Sequence, residues 1–426
     1  MKVKTIKSLC GMLALLAFSA CSSNIDESAD APRFYNVTLT ASMGDAETRA
    51  LSESGNVITA TFTAGDKVKV LKSDGTEVGE LTANTAGANT TLSGTISGTF
   101  SENEELTFRY RSATANYGGQ VGTLAGIAAG QDYAEGTLTV TDPNTNPLTF
   151  ESSSVTLRAK QSITKFTFKN GTNPINVKNF HITAAGLVQS IAANGIETIG
   201  AVTGALTSPS TSVYVALRNN TDTKQAYSFT VQDEAGNWYI ATKNAKLTDG
   251  RNYAVDIALT PLPALTSTSE GAIGMLDGLP AIIVDFSGTK KAVALKNVGA
   301  LYLEDYGTYY TFENRASGLT GTWYVPTRTE LEALAAKPST WGAPYGVNGR
   351  MFTIGSNSLF LPAAGLDDTD NDPSDFWKVS ELGYYWSSDD PGEGLPFCLS
   401  FSSSVVNIIS GYKTDALTVR PFHALN

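Results

Sequence analysis

From Phe34 to Leu259 the chain repeats one pattern. Short runs alternate apolar and polar side chains, and glycine- or aspartate-bearing turns break them. The runs are Phe34–Thr40, Val57–Phe62, Lys67–Leu71, Leu92–Phe100 and Leu106–Tyr110, punctuated by Gly65-Asp66, Asp74-Gly75, Gly87 and Gly98. A period of two places every second side chain on one face, which is the signature of a half-buried strand. Turns at this spacing exclude long helices and predict an antiparallel sandwich. No segment of this region carries a sustained 3.6 period, so no helix is expected in it.

The pattern restarts after Thr149. Val155–Leu157 leads into Ile163–Phe168, then Val177–Thr183, Ser212–Leu217, Tyr227–Val231, Trp238–Ala241 and Tyr253–Leu259. This predicts a second sandwich of ordinary domain size. Pro261-Leu262-Pro263, followed by Thr266–Ser269, reads as a linker.

From Ala272 the composition changes. Four of the five tryptophans lie beyond it: Trp323, Trp341, Trp377 and Trp386. Thr327 followed by Glu330 is a capping box ahead of Leu331, Leu334 and Ala335, and Pro338 closes the segment, so a helix is expected there. Strand-like runs at Ile282–Phe286, Ala292–Leu295, Leu399–Ile409 and Ala416–Val419 surround it, giving a compact α+β domain.

The first residues are of another kind. Lys2, Lys4 and Lys7 precede an apolar run that ends at Phe18-Ser19-Ala20-Cys21. A basic start, a short apolar stretch and small residues form a secretory signal, and the run is short for a bilayer span. Small residues followed at once by cysteine resemble a bacterial lipobox, which makes Cys21 the expected site of lipidation. Phe18 is the departure from that motif. Acyl chains on Cys21 would hold the exported protein to a membrane. The expected division is therefore 1–20 signal segment, 21–33 polar tether, 34–152 first sandwich, 153–262 second sandwich, 263–271 linker and 272–426 α+β domain.

Charge and cysteine content exclude several functions. Loss of residues 1–20 removes three lysines and no acid, moving the formal charge from −11 to −14. Such a chain has no electrostatic footprint for nucleic acid. Beyond Cys10 and Cys21 only Cys398 remains, so no intrachain disulfide is available, and its strand-like setting points to an inert buried thiol. Two histidines, His181 and His423, cannot build a multi-histidine zinc site. No nucleophile-elbow sequence accompanies either of them. Paired carboxylates for glycoside hydrolysis have no defined spacing here. The chain is read as non-enzymatic.

Residues 34–260 resemble the fimbrillins, pilus subunits of Bacteroides-type bacteria. The likeness is carried by the Phe34–Ser42 strand followed by Glu47-Thr48-Arg49-Ala50, by the turn from Phe62 through Gly65-Asp66-Lys67-Val68, by the Lys160–Phe168 strand and by Leu247-Thr248-Asp249-Gly250-Arg251-Asn252-Tyr253. The resemblance implies two transthyretin-like sandwiches, export as an outer-membrane lipoprotein precursor, and cleavage after an arginine near the first strand. Removal of that strand leaves a groove that an extended segment of the next subunit fills. Arg49, in the polar stretch Ser42–Gly55, is the expected cut site, with Arg33 as second choice.

The third region resembles a C-type-lectin-like fold. Trp323-Tyr324-Val325-Pro326-Thr327 with Glu330-Leu331, then Leu359–Gly365, then Tyr384–Ser388, and finally Val419-Arg420 follow that fold's motifs in order. A fimbrillin with such a domain added resembles a tip subunit, which accepts a strand and donates none. Its expected partners are other pilus subunits, through strand donation, and a surface glycan or protein. Trp341 and Trp377 lie outside clear strands and are the modest candidates for ligand contact. Asp368, Asp370 and Asp372 lie in an acidic stretch that offers oxygen ligands for Ca²⁺, but Pro373 and Val379 stand where an EF-hand needs glycine and glutamate. We read it as a solvated loop, with calcium the minor alternative and no other cofactor. The formylglycine-generating oxidase shares the fold but needs a cysteine pair, and one thiol does not supply it. The alternative function is a permanently anchored glycan-binding lipoprotein, and a surface hydrolase ranks below both.

Overall fold

The computed structural model describes residues 33–44, 52–54, 57–59, 61–300, 305–343, 347–367, 376–392 and 395–425. The protein is mainly β. The first sheet is built from β1 (Arg33–Met43), β2 (Lys67–Leu71), β3 (Glu77–Ala83), β4 (Asn89–Gly98), β5 (Glu105–Tyr110), β6 (Ala134–Asp142), β7 (Thr149–Phe150) and β8 (Ser154–Ala159). Its order is β7-β6-β8-β1-β4-β3-β2-β5, and β5 also pairs with β6. The hydrogen bonding therefore runs round in a closed circuit. β6 makes the corner: Glu135 lies opposite both Arg158 and Arg109. Inward residues of every strand, among them Leu39, Val70, Leu81, Leu92, Phe108 and Leu157, fill one core.

Ser154–Ala159 differs from the sequence expectation. It runs parallel to β1, and Val155 and Leu157 enter the first core, not the second. Alternation identifies a strand but not its partner, and this partner lies more than a hundred residues away. A second difference is α1 (Leu124–Gly130), where no helix was expected. It is two turns long, rich in alanine and glycine, and buries only Ile127, so it prints no amphipathic period. Thr123 caps it by accepting from Gly126 N–H at 3.0 Å. The stretch around it contributes Ala115, Tyr117, Ile127 and Tyr133 to the second core, although the expected division groups it with the first sandwich.

The second sheet contains β9 (Ser162–Asn170), β10 (Val177–Thr183), β11 (Leu187–Ile191), β12 (Glu197–Ile199), β13 (Val202–Ser210), β14 (Val213–Asn219), β15 (Gln225–Asp233), β16 (Trp238–Ala245) and β17 (Asn252–Pro261), in the order β12-β11-β14-β9-β17-β16-β15-β10-β13. It repeats one device of the first sheet. In each, the opening strand lies between an antiparallel neighbour and a closing strand that runs parallel to it: β1 between β4 and β8, β9 between β14 and β17. Phe166, Phe168 and Phe229 pack as a ring cluster in the second core, with centroids 5.4–5.9 Å apart.

The third region holds four small sheets and α2 (Arg328–Ala335), one of the sheets being made of the two-residue strands Tyr310–Thr311, Leu366–Asp367, Phe376–Trp377 and Ala416–Leu417. The first sheet comprises β18 (Ile273–Leu276), β19 (Leu279–Phe286), β20 (Thr289–Ala294), β21 (Trp323–Tyr324) and β28 (Phe422–Ala424), with β28 held between β20 and β21. Two three-stranded sheets are β22 (Ser339–Gly342), β23 (Gly349–Ile354) and β24 (Asn357–Pro362), and β25 (Gly383–Trp386), β26 (Phe397–Phe401) and β27 (Val406–Ser410). Leu399–Ile409, read as one run, is a hairpin whose turn is built by Ser402, whose hydroxyl accepts from Ser404 N–H at 3.2 Å. The capping box is present: Thr327 Oγ1 accepts from Glu330 N–H at 3.2 Å, and Glu330 Oε2 accepts from Thr327 N–H at 2.7 Å. Leu331 and Leu334 then face the core, beside Tyr385 and Phe401. Arg420 is fully buried. It donates to the carbonyls of Ala294 (3.1 Å) and Phe360 (3.0 Å) and so ties β20 to β24.

Candidate functional site

β1 is seated by an inward apolar face, by full pairing along one edge and by partial pairing along the other. Tyr35, Val37, Leu39 and Ala41 point inward and are each at most 4% exposed, while Asn36, Thr38 and Thr40 between them are exposed. Ten consecutive residues pair with β4, from Arg33 opposite Gly98 to Ser42 opposite Asn89. On its other side only Thr40–Met43 pairs with β8. The remaining edge is clamped by the loop after β6. Asn36 N–H donates to Asn146 Oδ1 (2.9 Å), Asn146 Nδ2 donates to the Phe34 carbonyl (3.2 Å), Leu148 N–H donates to the Asn36 carbonyl (3.2 Å), and Tyr35 OH donates to the Pro143 carbonyl (3.0 Å). The Tyr35 ring packs 5.3 Å from Phe100.

The energetics follow from burial. Tyr35, Val37 and Leu39 are worth about 2 kcal/mol each and Ala41 less, so the inward face contributes roughly 6 kcal/mol. Taking β1 away would expose this cleft and two rows of backbone donors and acceptors, on β4 and β8. A vacancy of that kind accepts any extended segment with apolar residues at alternate positions. Arg33 opens β1 at the surface and its guanidinium reaches Asn144 Oδ1 at 3.5 Å. Arg49 and Cys21 lie outside the described residues. The asparagine clamp of the loop after β6 was missed in the sequence, because nothing in Asn144–Pro147 itself points to β1.

The other candidates divide differently. Trp341 lies on β22 and is half-buried, 6.5 Å from the Phe401 ring and against the third core. Trp377 belongs to the short strand Phe376–Trp377 opposite Leu366. Asp368, Asp370 and Asp372 lie outside the described residues, and among the described residues no group of three His, Cys, Asp or Glu side chains could hold a metal ion. Cys398 is buried, and burial pushes its thiol up to about 12.

His423 sits on β28 with its ring 5.1 Å from Trp323. Asp277 Oδ2 lies 3.0 Å from His423 Nε2, and Thr322 Oγ1 donates to that same carboxylate at 2.8 Å while also touching Nε2. A hydroxyl–imidazole–carboxylate relay needs its two oxygens on opposite ring nitrogens. Here both crowd one nitrogen, and His423 Nδ1 is buried without a hydrogen-bond partner. The cluster fastens β28 to the loop before β19 and has no relay geometry. His181 is buried in β10.

No family model and no curated protein matches the chain. Among solved structures it is similar to a fimbrial assembly protein from Parabacteroides distasonis, at 12% identity and TM-score 0.28, covering 62% of this chain and 96% of that one. It is also similar to the C-terminally truncated tip fimbrial protein Mfa3 from Porphyromonas gingivalis, at 12% identity and TM-score 0.27, covering 54% and 98%. A third similarity is to the shaft pilin SpaA of Lactobacillus rhamnosus, at 12% identity and TM-score 0.24, covering 55% and 100%.

Proposed function

We propose that the chain is a non-enzymatic, cell-surface pilus subunit of the tip type, made as a lipoprotein precursor anchored through Cys21 and assembled by strand exchange at β1. In this reading a cut after Arg49 frees β1, a neighbouring subunit supplies the replacement strand, and the third domain meets a surface glycan or protein. The observation that carries the proposal is the seating of β1. It is a single segment at the start of the described chain, with four buried alternate side chains and clamps made almost wholly by main chain and asparagine. Main-chain recognition tolerates a different sequence in the same slot, as exchange requires.

Support for the tip placement comes from the third domain. β28 is hydrogen-bonded on both sides within its own sheet, and Phe422 is buried against Phe286 with ring centroids 5.4 Å apart. Residues 422–424 are thus committed to their own domain. Limited trypsin digestion of the full-length protein, with sequencing of the new N-terminus, tests the reading. The expected product starts at Ala50, loses β1 on mild denaturation, and then binds a synthetic peptide of residues 33–44. A product that keeps β1, or an emptied slot that does not take the peptide, contradicts it.

A further inference from the structure

The slot that β1 fills is not uniform along its length. At its start the strand has β4 on one side and the loop after β6 on the other. Tyr35, opposite Ile96, is the largest side chain there: its ring packs 5.3 Å from Phe100 and its hydroxyl donates to the Pro143 carbonyl at 3.0 Å. Val37 comes next, opposite Gly94. A Cβ added at Gly94 would lie 2.5 Å from the Glu80 carbonyl oxygen and 3.1 Å from Leu81 Cδ2, so β4 offers no side chain to compete with Val37. Leu39 follows, opposite Leu92.

Ala41 is placed differently. It is wholly buried, and strands flank it on both sides: it lies opposite Thr90 of β4 and Val155 of β8. Both neighbours are buried as well. Residues directly opposite each other on paired strands point to the same face, so Thr90 and Val155 hem Ala41 in from either side. Thr90 is held in place, because its hydroxyl accepts from Thr85 N–H at 3.0 Å. A close-packed interior answers an added branch with strain, not with room.

We propose that the slot selects its strand by side-chain size, taking an aromatic residue at the Tyr35 place, aliphatic residues at the Val37 and Leu39 places, and only glycine, alanine or serine at the Ala41 place. The inference rests on strand exchange at β1 and adds the chemistry of the partner: an extended segment of a neighbouring subunit with that order of sizes at alternate positions. A groove that recognised apolar bulk alone would rank strands the other way, since leucine at the Ala41 place buries more apolar surface.

The test uses the full-length protein cut with trypsin and emptied of β1. A fluorescently labelled peptide of residues 33–44 is bound to it and displaced by unlabelled variants of the same peptide. Thr38→Ala, on the outward face, and Val37→Ile, opposite Gly94, should compete within about threefold of the parent, and Ala41→Leu at least about tenfold more weakly. In the Val155→Ala protein, which widens that wall, the Ala41→Leu peptide should regain affinity relative to the parent. Should this variant fail to fold, the peptide series in the unaltered protein decides alone. Competition by Ala41→Leu equal to or better than the parent overturns size selection and leaves strand exchange standing. Failure of the parent peptide itself to bind overturns both.

Discussion

Replacing Leu39 by alanine tests whether β1 is held by its inward face. Leu39 is 4% exposed and lies directly opposite Leu92 of β4. Large-to-small substitution at such a site costs about 3 kcal/mol, combining lost transfer energy with the cavity left behind. Thr38, its exposed neighbour opposite Ser93, should cost under about 0.5 kcal/mol as alanine. The assay is native-state hydrogen exchange read on Asn89–Gly98, the strand that pairs with β1 along its whole length. A loss of about 3 kcal/mol corresponds to roughly 100-fold faster exchange there in Leu39→Ala, with little change in Thr38→Ala. The second sandwich has its own core and should exchange as before in both variants. Equal behaviour of the two variants, or undiminished protection of Asn89–Gly98 in Leu39→Ala, would refute the reasoning.

Other expectations can be checked separately. Cys398 should resist iodoacetamide at pH 8 in the folded protein and react once it is unfolded in guanidinium, because burial withholds the thiolate. Arg420→Ala strips the Ala294 and Phe360 carbonyls of their donor inside the third domain, and should lower its stability by about 3–5 kcal/mol in urea unfolding. Thr327→Ala removes the helix cap and should cost about 1 kcal/mol in the same measurement. Burial raises the Glu135 carboxyl, but its bond to Lys160 and the charges of Lys160 and Arg109 outweigh that and hold it below the ordinary glutamate value. Its stabilisation is therefore complete above the unfolded-state value and lost as pH falls through the folded one. An acid titration of stability should be flatter in Glu135→Gln.

What could be read from sequence was the local part of the fold. Lys67–Leu71 and Val177–Thr183 are strands at the expected residues, and Thr327–Glu330 opens a helix as the capping box indicates. Each rests on a pattern complete within a few positions. The pairing of Ser154–Ala159 with β1 is non-local and parallel, so nothing in its own residues announces it. α1 was hidden because two turns of Leu-Ala-Gly-Ile-Ala-Ala-Gly bury a single side chain. Phe62 shows another limit: it ends an alternating run yet makes only an isolated bridge to Gly87 while its ring fills the first core. For the site, the alternation of β1 gave the slot's apolar face, but the asparagine clamp arises only when a distant loop meets it.

The central claim is that β1 must leave its slot for the subunit to assemble, and a reversible lock tests it most directly. Thr38 and Ser93 face each other across β1 and β4, so Thr38→Cys with Ser93→Cys places two thiols at one register position, and buried Cys398 does not compete. The account predicts that the oxidised double variant is missing from filaments sheared off expressing cells and that reduction restores it. Equal incorporation of the oxidised and reduced forms would contradict it.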